Sequence, residues 1–245
     1  MIKKLYEKSE IIFAIAWIAL YVVLASVGDN ISERIGIQKI VTLPILIIMS
    51  KALLFFLKRN GLTEKYGLIK PQISNSKMLF YFPLLVLLSA NLWFGVSLNS
   101  SIIEALLYIL SMFCVGFLEE MIFRGLLFKA MAENGIKSAI IVSSITFGIG
   151  HIVNLINGSG AEFASTLLQI VYAVAIGFTF LMIFYKTKSL LPCIITHSVF
   201  NSLSVFSNEE LITPQMQIVS GLLIAIIAGG YALYIAISVK GKNTK

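Results

Sequence analysis

Hydrophobic residues fall along the chain in eight runs that short polar connections separate. The runs cover approximately residues 11–27, 40–57, 78–96, 102–128, 138–156, 163–185, 189–206 and 215–239. Most of them are close to the roughly 20 residues that an α-helix needs to cross the hydrocarbon core of a bilayer. The fourth run is longer, and we expect a break or a tilt at Gly125 near its end. The pattern predicts an all-α, polytopic membrane bundle of about eight transmembrane helices, with residues 1–245 forming a single integral membrane domain.

The composition agrees with a membrane protein. Hydrophobic residues make up 58% of the chain and charged residues 13%, and the mean hydropathy is +0.92. A soluble domain has about 45–50% apolar and about 25% charged residues. The net charge of +7 would also suit a nucleic-acid binder, but the basic residues lie between the hydrophobic runs. We therefore predict a lipid bilayer around the chain and no nucleic-acid partner.

The distribution of basic residues predicts the orientation of the bundle. With the N-terminus in the cytoplasm, 15 of the 19 basic residues fall in cytoplasmic segments: Lys3, Lys4, Lys8, Lys58, Arg59, Lys65, Lys70, Lys77, Lys129, Lys137, Lys186, Lys188, Lys240, Lys242 and Lys245. The outer connections then hold only Arg34 and Lys39. This bias follows the positive-inside rule. It predicts a multi-pass protein of the cell membrane with both termini in the cytoplasm.

Five of the ionisable side chains within the apolar runs are candidates for chemistry. Glu119, Glu120 and Arg124 lie in the fourth run, and the two histidines of the chain, His151 and His197, lie in the fifth and the seventh. A charged residue at the centre of a bilayer costs about 2.5–3.5 kcal/mol on insertion scales, and such residues usually face a polar interior and mark function. We therefore predict one polar site inside the bundle.

Helical geometry gives the two carboxylates different surroundings. Glu120 and Arg124 are four residues apart, so that they share one face of a helix and can form an ion pair. Glu119 is rotated by about 100° from Glu120. It therefore escapes direct neutralisation by Arg124 and suits a general base. The alternative is a structural cluster in which the three side chains only join helices.

The two histidines show the same four-residue spacing to a second polar or aromatic side chain. Phe147 and His151 share one face of the fifth run, and His197 and Asn201 share one face of the seventh. Either histidine alone would be as consistent with a satisfied core residue as with a functional group. Together with Glu119, they favour a site.

These residues resemble the motifs of a known family. Glu119-Glu120-x-x-x-Arg124, Phe147-x-x-x-His151 and His197-x-x-x-Asn201 are similar, in order, to the three motifs of the CPBP family. This family comprises the CAAX-type prenyl-protein endopeptidases and bacterial relatives often called Abi proteins. The resemblance covers about residues 102–206, and the short connections look like those of a bacterial member.

The resemblance implies an eight-helix intramembrane protease with a site that faces the cytoplasm and a catalytic core at about 102–206. Glu119 would activate water, with His151 as its partner. His197 and Asn201 would bind that water or stabilise the oxyanion. Three further motif positions would support the site: Glu120, Arg124 and Phe147. The expected substrate is a peptide or a membrane protein.

The sequence leaves two routes to an activated water. Glu119, His151 and His197 could bind Zn²⁺ and leave a fourth position for water. However, there is no His-Glu-x-x-His helix, and the three candidate ligands come from separate runs. We favour glutamate-activated water with no cofactor, and Zn²⁺ at these three residues stays the alternative.

Two other classes of function fit the same intramembrane groups. One is a non-catalytic membrane protein that binds peptides or confers bacteriocin immunity. The other is a proton-coupled transporter, in which intramembrane glutamate and histidine are also expected. Many transporters carry repeated halves, and the hydrophobic pattern shows no such repeat. The transporter is therefore the less favoured alternative.

Overall fold

The computed structural model describes residues 2–155 and 162–239. These residues form ten α-helices and no β-strand. The helices are α1 (Ile2–Lys8), α2 (Glu10–Ile35), α3 (Thr42–Arg59), α4 (Phe82–Leu88), α5 (Ile102–Glu119), α6 (Phe128–Ala132), α7 (Ile136–Gly150), α8 (Phe163–Thr187), α9 (Leu191–Leu203) and α10 (Pro214–Ser238). A π-helix at Glu120–Leu127 joins α5 to α6. The all-α prediction is confirmed for the described residues.

Five helical segments within the described residues are long and apolar enough to cross a membrane: Glu10–Ile35, Ile102–Ala132, Ile136–Leu155, Phe163–Thr187 and Pro214–Ser238. They confirm a multi-pass membrane bundle. Length and composition do not establish the three other predicted spans. Helix α3 carries three basic residues, the 78–96 run is divided into α4 and short 3-10 turns, and Leu191–Phe206 is shorter than the five.

The two ends of the bundle differ in charge. At the basic end, Lys65 pairs with Glu10 at the start of α2, and Lys186 Nζ donates to the carbonyl oxygen of Val239 at 2.6 Å. At the acidic end, carboxylates from the end of α2 and the start of α5 line one cleft: Asp29, Glu33 and Glu104. The basic segments that these contacts join all belong to the predicted cytoplasmic side.

The three shorter segments run between the same two ends. In α3, Thr42 Oγ1 donates to Asp29 at 2.6 Å, and the helix leads toward Lys65. The 78–96 run starts beside Tyr234 near the end of α10 and finishes at a bridge between Val96 and Ser207.

Helix α9 completes this pattern. It starts next to Leu190, whose N–H donates to the Gly67 carbonyl in the loop that carries Lys65. At its other end, Ser204 contacts the Tyr108 hydroxyl at 2.8 Å, in the cleft that Glu104 also lines. Helix α3, the 78–96 run and α9 therefore each connect the basic end with the acidic end.

Helix α2 is longer than the run at 11–27 predicted. It continues through polar residues to Ile35 and ends at Gly36, whose left-handed backbone (φ 79°) is typical of a helix C-terminus. Tertiary contacts hold the extra turns, because Asp29 accepts hydrogen bonds from Lys39 at 2.8 Å and from Thr42. The hydrophobic pattern alone carries no information about these partners.

The fourth run does not break at Gly125, where a break or a tilt was expected. The chain stays helical there and adopts a π-helix, all of whose residues are buried. Immediately before it, α5 and α9 approach very closely at Gly116. A Cβ on Gly116 would lie 2.3 Å from Ser198 Oγ and 2.7 Å from Ser198 N, so only glycine fits. This approach places His197 of α9 beside the junction of α5 and the π-helix.

Candidate active site

The two adjacent carboxylates stand at that junction. Glu119 is the last residue of α5, and Glu120 is the first of the π-helix. Arg124 Nη1 donates to Glu120 Oε1 at 3.0 Å, and both side chains are fully buried. The predicted ion pair is confirmed. The Glu119 side chain is 15% exposed and makes its contacts elsewhere, with Tyr21 and His197.

His197 lies between the two carboxylates. Its Nδ1 is 2.8 Å from Glu120 Oε1, and its Nε2 is 3.6 Å from Glu119 Oε2. In a neutral imidazole, donation from Nδ1 to Glu120 leaves the lone pair of Nε2 directed toward Glu119. The 3.6 Å separation is longer than a direct hydrogen bond. It places the Nε2 lone pair beside the Glu119 carboxylate without a direct hydrogen bond.

Tyr21 of α2 is a part of the site that the motifs did not include. Its hydroxyl donates to Glu119 Oε1 at 2.6 Å, and its side chain is buried. A sequence signal exists, since Tyr21 lies in the middle of its helix rather than at a membrane interface. The hydroxyl of a buried tyrosine usually has a hydrogen-bond partner. The signal does not identify that partner.

Phe147 of α7 packs among the charged groups. Its ring centroid is 3.8 Å from the guanidinium carbon of Arg124, a geometry that stabilises a desolvated cation. The rings of His151 and His197 stand edge-on to it, with centroid distances of 5.4 Å and 5.7 Å. His151 Nδ1 is also 3.3 Å from the Phe147 carbonyl oxygen. Phe147 therefore fixes the spacing between the arginine and both imidazoles.

Two cavities adjoin at Phe147 and His151. The first has a volume of about 110 Å³ and is also lined by Tyr21 and Glu119. That volume and the polar side chains within its mostly apolar wall suit bound water. The second has a volume of about 50 Å³, and His197 and Asn201 line it together with mostly apolar side chains of α8. The structure thus brings the four predicted catalytic residues to two neighbouring cavities.

The side chains that could hold a metal fit Zn²⁺ in type, since one carboxylate and two imidazoles are common zinc ligands. Their arrangement, however, fits a zinc site less well than their chemical types do. Within 2–155 and 162–239, no three histidine, cysteine, aspartate or glutamate side chains converge as metal ligands would. One nitrogen of His197 already contacts Glu120. The proposed mechanism therefore assigns no step to a metal.

The fold and the site define the class of this protein: a multi-pass membrane protein with glutamate and histidine side chains buried between its helices. Residues 100–203 match the family model described as Rce1-like, type II CAAX prenyl endopeptidase. No curated protein matches the chain. The matched segment contains all three motifs and is similar to this family of CAAX-type proteases. The resemblance predicted from the motifs is confirmed, and it supports an intramembrane protease.

Proposed function

We propose that this protein is an intramembrane endopeptidase that hydrolyses a peptide bond with water activated by Glu119. One observation carries the proposal. The Glu119 carboxylate lies between the Tyr21 hydroxyl and the His197 imidazole, beside a cavity inside the bundle. Glu120 forms the ion pair with Arg124. Glu119 is therefore not neutralised by that arginine and can act as a base.

In the first step, a water molecule beside His197 Nε2 donates a hydrogen bond to Glu119 Oε2. Glu119 removes a proton while the water oxygen attacks the carbonyl carbon of the scissile bond. The negative charge that develops on the carbonyl oxygen receives a hydrogen bond from the Asn201 side-chain amide. One such donor contributes roughly 3 kcal/mol to transition-state stabilisation.

In the second step, Glu119 returns the proton to the leaving nitrogen as the C–N bond breaks. The products are a carboxylate and an amine. His151 shares the first cavity with Glu119 and acts as its partner by hydrogen-bonding the incoming water. Glu120 orients His197 through Nδ1, and Phe147 and Arg124 support that orientation.

We also propose eight spans, both termini in the cytoplasm and a catalytic core at about 102–206. The contacts of α3, the 78–96 run and α9 with both ends of the bundle support the count. The gathering of lysines at one end supports the orientation. Glu119 lies within the Ile102–Ala132 span and closer to its Ala132 end, which suits a site near the midplane on the cytoplasmic side.

The name of the matched family suggests the first substrate to test. Purified protein in liposomes would receive a quenched fluorescent peptide that carries a farnesylated cysteine in a C-terminal CAAX sequence, and an unprenylated twin. We expect hydrolysis of at least one, with the cleaved bond located by mass spectrometry.

The short connections favour a bacterial member, whose substrate would be a peptide precursor, a signalling peptide or a membrane protein. Comparison of peptides in cells that express wild type or Glu119→Ala would identify it.

Glu119→Gln is the decisive variant. We expect it to abolish hydrolysis and to keep the melting temperature (Tm), because glutamine preserves an acceptor for the Tyr21 hydroxyl but cannot take a proton. Glu33→Gln, the same change at an exposed position of the acidic end, is the matched control. Hydrolysis by purified Glu119→Gln at the wild-type rate would refute the proposal. A peptide-binding scaffold would keep its function in that variant, and a transporter would show flux that depends on a pH gradient.

A further inference from the structure

We propose that Tyr21 is a positioning residue for Glu119. The inference rests on the proposed hydrolysis. Tyr21 stands 98 positions before Glu119 and outside the matched segment 100–203. Its hydroxyl donates to Glu119 Oε1, and it lines the same cavity as Glu119 and His151. In this role, Tyr21 holds one carboxylate oxygen so that the other, Oε2, faces His197 and receives the proton from water.

The packing of α2 fixes the hydroxyl in place. Helix α2 lies directly against the π-helix that Glu120 begins. Tyr21 belongs to a buried stripe with Phe13, Ala14 and Trp17, at the spacing of one face of a helix. The Tyr21 side chain is 9% exposed. Its hydroxyl can therefore not follow the carboxylate if the carboxylate rotates.

The chemistry of a carboxylate explains why such a contact matters. The terminal torsion of glutamate is broad, so the two oxygens of an unrestrained Glu119 could exchange places or turn away from His197. A hydroxyl bound to a carboxylate forms a short, strong hydrogen bond of about 2.5–2.7 Å. The observed 2.6 Å agrees with this class. Misplacement of a reacting group by about 1 Å can cost roughly 100-fold in rate.

The test replaces only the hydroxyl. In Tyr21→Phe, we expect kcat to fall by about 10–100-fold while KM for the same fluorescent peptide changes by less than about twofold, since the base is misplaced and substrate contacts are kept. Tyr108→Phe is the matched control. Tyr108 also lies within a long apolar helix, and its hydroxyl contacts Ser204 at 2.8 Å at the acidic end. Its loss should leave kcat unchanged.

A second pair of variants separates positioning from packing. Tyr21→4-aminophenylalanine keeps the ring and a donor, whereas Tyr21→4-methylphenylalanine keeps the ring and the volume without a donor. We expect the amino variant to recover most of the wild-type kcat and the methyl variant to resemble Tyr21→Phe. This pair also replaces Tyr21→Phe if that variant does not fold. A residue that only packs would give equal kcat in both.

The outcomes distinguish the two proposals. Wild-type kcat in Tyr21→Phe, or in the methyl variant, would overturn the positioning role and leave the proposed hydrolysis intact. Equal losses in the amino and methyl variants would also overturn it. A wild-type protein that hydrolyses neither the probe peptides nor any cellular peptide would refute the proposed function, and the role of Tyr21 would fall with it.

Discussion

Glu120→Gln should destabilise the protein far more than Glu119→Gln, although the two residues are adjacent. Glu120 and Arg124 are both fully buried and paired at 3.0 Å. Within the described residues, Arg124 Nε and Nη2 have no hydrogen-bond partner. Among the residues that the structure describes, Glu120 is therefore the only carboxylate that compensates the guanidinium directly. Glutamine at position 120 would leave a positive charge inside the bundle, with the rings of Phe147 and Phe180 beside it.

Breaking a buried ion pair from one side typically costs about 3–5 kcal/mol. For a chain of 150–250 residues, 1 kcal/mol corresponds to roughly 2–4 °C in Tm. We therefore expect the Tm of Glu120→Gln to fall by roughly 6–20 °C. Some activity should persist, because the oxygen of glutamine can still accept the hydrogen bond from His197 Nδ1.

Thermal unfolding in detergent, followed by fluorescence and by hydrolysis of the probe peptide, measures both effects. Glu7→Gln is the control, because Glu7 forms an i,i+4 pair with Lys3 that is exposed to solvent. Such exposed pairs contribute little, so its Tm should match wild type. Arg124→Met added to Glu120→Gln should recover part of the lost Tm, since the uncompensated charge is gone.

The result that would refute this reasoning is an exchange of roles. If Glu120→Gln kept the wild-type Tm and lost all hydrolysis while Glu119→Gln remained active, Glu120 would be the base. The contacts with Arg124 and His197 would then be secondary to that role. A Tm loss of similar size in both variants would show that Glu119 also serves the stability of the bundle.

Three further predictions follow from the fold. A reporter fused near Lys65 should behave as cytoplasmic and one near Asn208 as external; equal behaviour at both would overturn the eight-span topology. Gly116→Ala should lower both Tm and activity, because its Cβ meets Ser198, whereas Gly230→Ala meets nothing within 4 Å and should be tolerated. Chelator-treated protein should stay active with far less than one zinc per chain; near-stoichiometric zinc that tracks activity would establish a metal site.

The contacts of the site that depend on local spacing could be predicted from the sequence. Glu120 and Arg124 pair as two residues four apart on one helix should. Phe147 and His151 make an edge-to-face contact, as their spacing indicates. The order of the three motifs also predicted the family. The spacing could not predict which helices pack against each other or through which of their faces. The hydrogen bond between His197 and Glu120 joins residues 77 positions apart, so no local pattern encodes it.

The π-helix and the contact of Tyr21 are two further features that local sequence patterns do not encode. A hydrophobic run predicts that a helix forms, but it does not predict whether the helix is wound as α or as π. Buried α and π turns have the same apolar composition. At Glu120–Leu127 the winding decides where Arg124 lies relative to Glu119, and the winding depends on tertiary packing.

For Tyr21, the sequence shows a polar group that needs a hydrogen-bond partner but does not show which residue that partner is. A hydroxyl in the middle of an apolar span must find an acceptor. Glu119, the carboxylate that Arg124 does not neutralise, is the acceptor that the structure supplies. The free carboxylate and the isolated tyrosine are therefore two halves of one contact, visible separately in the sequence and joined only by the packing of α2 on the π-helix.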